Sequence, residues 1–130
     1  MTVNKKYKIL VAEDNKINVK VAEFTLKSIA SQLDFAFNGE EVLQMIEKTS
    51  YDVIMMDVKM PVMDGYETTR IIREREINNH NFEPQKIIAI TANNQPEEVK
   101  YCLSLGMNDF LAKPFNTNEA LAVIEAVCAG

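Results

Sequence analysis

"YDVIMMDVKMPVMDGYE", residues 51–67, decides how the rest of the chain is read. Val53, Ile54, Met55 and Met56 form an unbroken apolar run, the pattern of a strand covered on both faces. A carboxylate, Asp57, stands directly at its tip. A short loop with Pro61 and Gly65 follows, and then a helix begins. An Asp after a strand often caps a turn or the next helix. Here the next helix has a better-placed cap in Asp64, with Glu67 three residues on as the expected reciprocal partner of a capping box. Asp57 is therefore free for another task.

Working outward, the same strand-then-helix pattern repeats. Strands are expected at 8–12 (KILVA), 33–37 (LDFAF), 52–56 (DVIMM), 86–90 (KIIAI) and 109–112 (DFLA). Helices are expected at 16–30, 39–49, 64–77, 96–105 and 117–128. The first places Asn18, Val21, Ala22, Leu26 and Ile29 on one face, with Val21, Ala22, Leu26 and Ile29 as its core stripe. Asn38 with Glu41, and Asn116 with Glu119, are further cap pairs; Pro96 opens the fourth helix and Gly106 follows it. Five strand-helix units imply an α/β fold: one parallel, doubly wound sheet with helices on both faces. Such sheets bind ligands outside the carboxyl ends of their strands.

At those ends stand Glu13 and Asp14 after the first strand, Asp57 after the third, Thr91 after the fourth and Lys113 after the fifth. A parallel sheet brings all of them to one rim. Two ionised carboxylates about 5 Å apart repel by roughly 3 kcal/mol at an effective dielectric of ~20. A cation relieves this, and an all-oxygen donor set suits Mg²⁺, with Mn²⁺ as a substitute. Asp57 is then placed to attack phosphorus and form an acyl phosphate. Lys113 and Thr91 would hold two of the phosphoryl oxygens and the metal the third. Taken singly, each residue has a plainer reading. Glu13 and Asp14 could cap the first helix, Thr91 is an ordinary strand-end residue, and Lys113 an ordinary surface lysine.

Composition narrows the function further. The chain has 130 residues, enough for one domain, expected to span 1–130 with its core at about 8–127. Fourteen basic against nineteen acidic residues give a net charge of −5, with no basic tract that would suggest nucleic acid. No apolar run reaches the length of a membrane span and no signal peptide opens the chain, so a cytoplasmic location without membrane contact is expected. Cys102 and Cys128 lie outside any metal-binding pattern and read as reduced thiols. The one histidine, His80, sits in the polar stretch NNHNFEPQ, not on a helix where a phosphorylatable histidine would stand.

"VAEDN", "DVKMPVMDG", "ITA" and "AKPF", in that order and at these spacings, resemble the response-regulator receiver domain of two-component signalling. The resemblance runs from about Lys8 to Val127. It implies a flavodoxin-like (βα)5 fold with strand order 2-1-3-4-5 and a cis bond before Pro114. It also implies that Asp57 is the phosphoacceptor, and that Asp14, Asp57 and the backbone carbonyl of Lys59 bind Mg²⁺, with Glu13 acting mainly through water. Thr91 and Phe110 are the implied switch pair. The expected partners are a histidine kinase or a histidine phosphotransfer protein, and the expected role is that of a signalling module, not a stand-alone enzyme. The wording of the motifs resembles the receivers of hybrid sensor kinases; a stand-alone regulator is the other form.

Ile17, Pro114 and Phe115 are expected to make a small apolar docking patch beside the site, whereas Phe24 is expected to be a shoulder of the core. A haloacid dehalogenase-type phosphatase would need a second Asp two residues after Asp57, where Lys59 stands. A flavin carrier on the same fold would need a Ser/Thr/Gly-rich phosphate loop, and EDNKIN is acidic. A docking module that no longer takes phosphate is the remaining alternative.

Overall fold

The computed structural model describes residues 5–79 and 83–129; His80 lies outside the described residues. Strands and helices alternate: β1 (Tyr7–Ala12), α1 (Lys16–Leu26), β2 (Ala30–Ala36), α2 (Gly39–Lys48), β3 (Val53–Asp57), α3 (Gly65–Asn78), β4 (Ile87–Thr91), α4 (Pro96–Ser104), β5 (Asp109–Ala112) and α5 (Thr117–Cys128). All pairings are parallel, in the order β2-β1-β3-β4-β5. The order expected from the resemblance is the one found.

The apolar runs form strands because every side chain in them has a core to enter. Alternation sends successive residues to opposite faces. Leu10, Ala12, Ile54, Met56, Ile87 and Ala89 enter one core, with Val42 of α2, Ile72 of α3 and Cys102 of α4. Ile9, Val11, Val53, Met55, Ile88 and Ile90 enter the other, with Leu26 of α1 and Ile124 of α5. Burying one such side chain is worth about 1.5–3 kcal/mol, so a polar residue within β3 or β4 would be costly. The polar residues at the strand tips are consequently conspicuous.

Three expectations fail at α1 and one at α3. The first helix ends at Leu26, not at residue 30. The Ile29 carbonyl accepts from the Tyr7 amide, and Ala30 pairs with Tyr7, so the sheet edge captures the segment that helical spacing had claimed. Val21, assigned to the core stripe, is exposed; so is Phe24, assigned to its shoulder. Ala22 and Leu26 are the buried residues of this helix, and the solvent side lies opposite them. At α3, the Asp64 side chain accepts from the Glu67 amide as expected, but the Glu67 carboxylate pairs with Arg70 rather than closing the box. At α5 both halves of the Asn116–Glu119 box form.

Candidate functional site

Asp57 is the last residue of β3 and only 7% exposed. Its Oδ2 accepts from Lys113 Nζ at 2.8 Å, and its Oδ1 accepts from the Lys59 amide at 3.0 Å. Lys113, just past β5, also donates to Glu13 Oε1 at 2.8 Å. Glu13 is buried after β1, and its Oε2 accepts from the Asn15 amide at 3.1 Å. Neither Glu13 nor Asp14 caps α1. That task falls to Asn15, whose Oδ1 accepts from the amides of Ile17 and Asn18, so both acids remain available to the rim. Asp14 is exposed, and one carboxylate oxygen each from Glu13, Asp14 and Asp57 lie within 4.8 Å of one another.

Close packing sets this geometry. A Cβ on Gly65 would stand 2.6 Å from the Asp57 carbonyl oxygen and 2.9 Å from Val58 Cα, so the first residue of α3 must be glycine for the helix to seat on the strand tip. The Gly65 amide donates to the Val58 carbonyl, and Val62, at φ 69°, turns the intervening loop. The need for Gly65 and Asn15 was not read from the sequence. The signal for Asn15 was an Asn directly before the helical spacing; that for Gly65 was a glycine inside, not after, a helix start.

Burial raises the Asp57 pKa, and the negative charge of Glu13 adds to the rise. The Lys113 and Lys59 hydrogen bonds and the Lys113 charge offset it in part. For Glu13 burial also pushes upward, but hydrogen bonds from Lys113 and the Asn15 amide, with the Lys113 charge, outweigh it and the pKa is lowered. Burial pulls Lys113 down, and its bonds to Asp57 and Glu13 more than reverse that, leaving it raised. Three carboxylates and one ammonium leave the rim with two negative charges, which matches the charge of one divalent cation.

Of the other expected residues, Thr91 ends β4 and is buried, but its hydroxyl faces its own loop. It accepts from the Asn93 amide at 3.0 Å and donates to the Asn93 carbonyl oxygen at 3.3 Å. Phe110 in β5 is half-buried against the core under α4. The Lys113–Pro114 bond is cis, as the resemblance implies. Lys59 is exposed, and its ammonium stands where a dehalogenase-type enzyme needs a carboxylic acid. Pro114 and Phe115 line an apolar groove of about 360 Å³ with Val21, Ala22 and Thr25, running from Lys113 along α1. Ile17 stands outside that groove, 73% exposed.

Residues 9–125 match the response regulator receiver domain. The chain belongs to that family. It is a receiver domain of two-component phosphorelay signalling. Hybrid signal transduction histidine kinase B of Dictyostelium discoideum is 44% identical over 121 residues, covering 88% of this chain and 6% of the kinase. Histidine kinase 5 of Arabidopsis thaliana is 39% identical over 131 residues, covering 84% of this chain and 14% of that protein. The receiver thus spans a small part of these relatives. Among solved structures, the receiver domain of a sensor histidine kinase from Pseudomonas aeruginosa superposes with a TM-score of 0.82 at 36% identity, over 96% of this chain and 99% of that one. That structure has a magnesium ion coordinated in its active site cleft. The receiver domain of Ssk1 from Saccharomyces cerevisiae, solved with the histidine phosphotransfer signaling protein Ypd1, superposes at 0.89 with 29% identity, over 98% of this chain and 92% of that one.

Proposed function

We propose that this receiver takes a phosphoryl group onto Asp57 from a phosphohistidine donor. The observation that carries this is a buried strand-tip carboxylate held by Lys113 inside a three-carboxylate cluster close enough to hold a divalent cation. An Asp57 oxygen attacks phosphorus; an O–P bond forms and the donor's N–P bond breaks, the imidazole leaving and taking up a proton. Burial raises the basicity of Asp57, which strengthens it as a nucleophile. Asp14, Asp57 and the Lys59 carbonyl would hold Mg²⁺ or Mn²⁺, with Glu13 acting through water; the ion supplies charge neutralisation at the transferred oxygens. Lys113 moves its ammonium from Asp57 Oδ2 to a phosphoryl oxygen. Thr91 exchanges its bonds to Asn93 for another phosphoryl oxygen, and Phe110 turns inward behind it.

The chain then acts as a single domain with its core at about 8–127. It catalyses only its own phosphorylation and dephosphorylation, on the cytoplasmic side. Its donor is a histidine kinase or a histidine phosphotransfer protein, docked on Ile17, Pro114 and Phe115, and the hybrid kinase relatives favour a receiver carried within such a kinase. With Mg²⁺ and a small phosphoramidate donor, intact mass spectrometry should show one added phosphoryl group. Asp57→Asn should show none, because an amide is a poor nucleophile. Labelling of the variant at the wild-type rate would overturn the assignment.

A further inference from the structure

Strand β2 is an edge of the sheet: among the described residues it pairs only with β1. The Glu13 amide donates to the Ala36 carbonyl, while the Lys8 carbonyl turns to the β3 side and accepts from the Asp52 amide. Backbone groups alternate sides along a strand, so Gln32, Asp34 and Ala36 turn theirs to β1, and Leu33 and Phe35 leave theirs on the open side. Sheets blunt such edges with lysine, proline or a bulge. Here the bulge, where Ser31 is skipped in the pairing with β1, is confined to the start of the strand. No lysine or proline stands in β2. Its one charge, Asp34, accepts from Gln32 Nε2 at 2.8 Å and from the Tyr51 hydroxyl at 2.6 Å, so it is held on its own face of the sheet. Beside the edge lies an open hollow of about 580 Å³, lined by Leu33 of β2 and by Phe24 of α1, which is 76% exposed. Lys20, Glu23 and Lys27 line it as well, and among the described residues none of these three is in an ion pair.

We infer that β2 pairs antiparallel with β2 of a second copy of this chain, joining the two sheets across a two-fold axis. Two registers bring the free backbone groups of residues 33 and 35 together. One, centred on Asp34, sets two carboxylates directly across from each other, which is destabilising. The other, centred on Leu33, sets Gln32 across from Asp34 twice and Leu33 across from itself, with both of its backbone hydrogen bonds exchanged. The second is the register of the pair. The helices fit the same arrangement. Helix α1 packs over β1 and β2, its Ala22 and Leu26 sharing a core with Ile9, Val11, Leu33 and Phe35. A two-fold axis through the sheet keeps both copies of α1 on one face. At about 4.8 Å between strands, the two helix axes then stand roughly 10 Å apart, the spacing of packed helices. The hollow becomes the seam between them, and Phe24 of each copy fills it. Glu23 with Lys20 and Lys27 gives the seam both signs of charge, as a self-pairing surface requires. The groove lined by Ala22, Thr25, Pro114 and Phe115 lies on the opposite flank of α1 and stays open in the pair.

Sedimentation equilibrium of wild type at millimolar concentration should give twice the 14.8 kDa chain mass. Amide exchange followed by NMR should slow at Leu33 and Phe35 as concentration rises, because only pairing at this edge protects those two amides. Gln32→Asp, which sets a carboxylate across from Asp34, and Phe24→Glu should each weaken association about tenfold, whereas Gln32→Lys should preserve it. Both positions are exposed and outside the acceptor site, so folding and small-donor labelling of Asp57 should be unchanged in all three variants. A chain that stays monomeric at millimolar concentration would overturn the pairing. So would a dimer whose Leu33 and Phe35 amides exchange as fast as in the monomer, or one indifferent to Phe24→Glu, since either must use another face. Equal weakening by Gln32→Asp and Gln32→Lys would overturn the Leu33-centred register.

Discussion

The two ends of the sheet handle partly buried charge in opposite ways. At the end where strands begin, Arg73 of α3 donates to the Gly106 carbonyl oxygen through Nε at 2.9 Å and through Nη2 at 2.7 Å, and to Asn108 Oδ1 at 3.0 Å. It pairs with Glu76 at 2.7 Å, and the other Glu76 oxygen accepts from the Gln85 amide at 2.7 Å. Asn108 Oδ1 also takes the Ile87 amide at 2.8 Å. One positive and one negative charge cancel there, within a closed hydrogen-bond network. At the other end, Glu13 and Asp57 both pair with Lys113, Asp14 lies in the same carboxylate cluster, and burial holds the Asp57 pKa up. A neutral, satisfied network stiffens a fold; an under-neutralised one suits the cation and phosphoryl group proposed for it.

The sharpest way to break the comparison is to damage the satisfied end. Arg73→Met should cost about 3 kcal/mol in urea unfolding, because it leaves the Glu76 carboxylate and the Gly106 carbonyl short of partners. Small-donor labelling of Asp57 in the folded variant should persist. If stability is unchanged, the network is ornamental and the contrast collapses.

The second effect comes at the acidic end. Mg²⁺ at ~100 times its Kd should stabilise wild type by about 2.7 kcal/mol if it binds only the folded state. A thermal melt indifferent to Mg²⁺ up to tens of millimolar would remove the metal from the site. Asp14→Asn should raise the metal-free melting temperature by relieving repulsion, while blunting the Mg²⁺ response.

A pH titration sharpens the electrostatic side. A raised folded pKa stabilises the protonated form, so the contribution of Asp57 is present below the ordinary aspartate pKa and is lost as pH rises through the raised one. Glu13, lowered, has the opposite sign: its contribution is present above the ordinary glutamate pKa and is lost as pH falls through the lowered one. In metal-free buffer, Asp57→Asn should therefore gain stability relative to wild type as pH climbs from 3 toward neutrality. A gap that stays constant across that range would mean that Asp57 is not under strain.

The smallest expected effect lies between the two ends. Thr69 in α3 is fully buried, and its hydroxyl has no hydrogen-bond partner among the described residues. Thr69→Val keeps the shape and removes the orphan, so it should stabilise by about 0.5–1 kcal/mol in urea. A loss of stability would show that the hydroxyl is satisfied in solution.

Much of this was legible before any coordinates. Four apolar runs with polar tips, separated by helical spacing, leave a parallel sheet as the economical solution, and a parallel sheet brings residues 13, 14, 57, 91 and 113 to one edge. Caps at Asn38, Asp64 and Asn116 were readable because their bonds span only three residues. Such interactions are local, and local chemistry is written in adjacent letters.

What only the tertiary structure decided is non-local. The end of α1 depends on Tyr7 drawing the Ile29 carbonyl into the sheet, a contact that outweighs helical periodicity. The outward turn of Val21 and Phe24 depends on which side of α1 meets the strands, and the stripes at Ala22–Leu26 and at Ile17–Val21–Phe24 both satisfy a helical period. That Lys113 bridges Glu13 and Asp57, 100 and 56 residues away, follows from strand order, since order alone brings the tips of β1, β3 and β5 within reach of one ammonium. By itself the sequence determined which groups could meet at the rim. Packing decided their distances, the protonation they favour and the face that is left open to a partner.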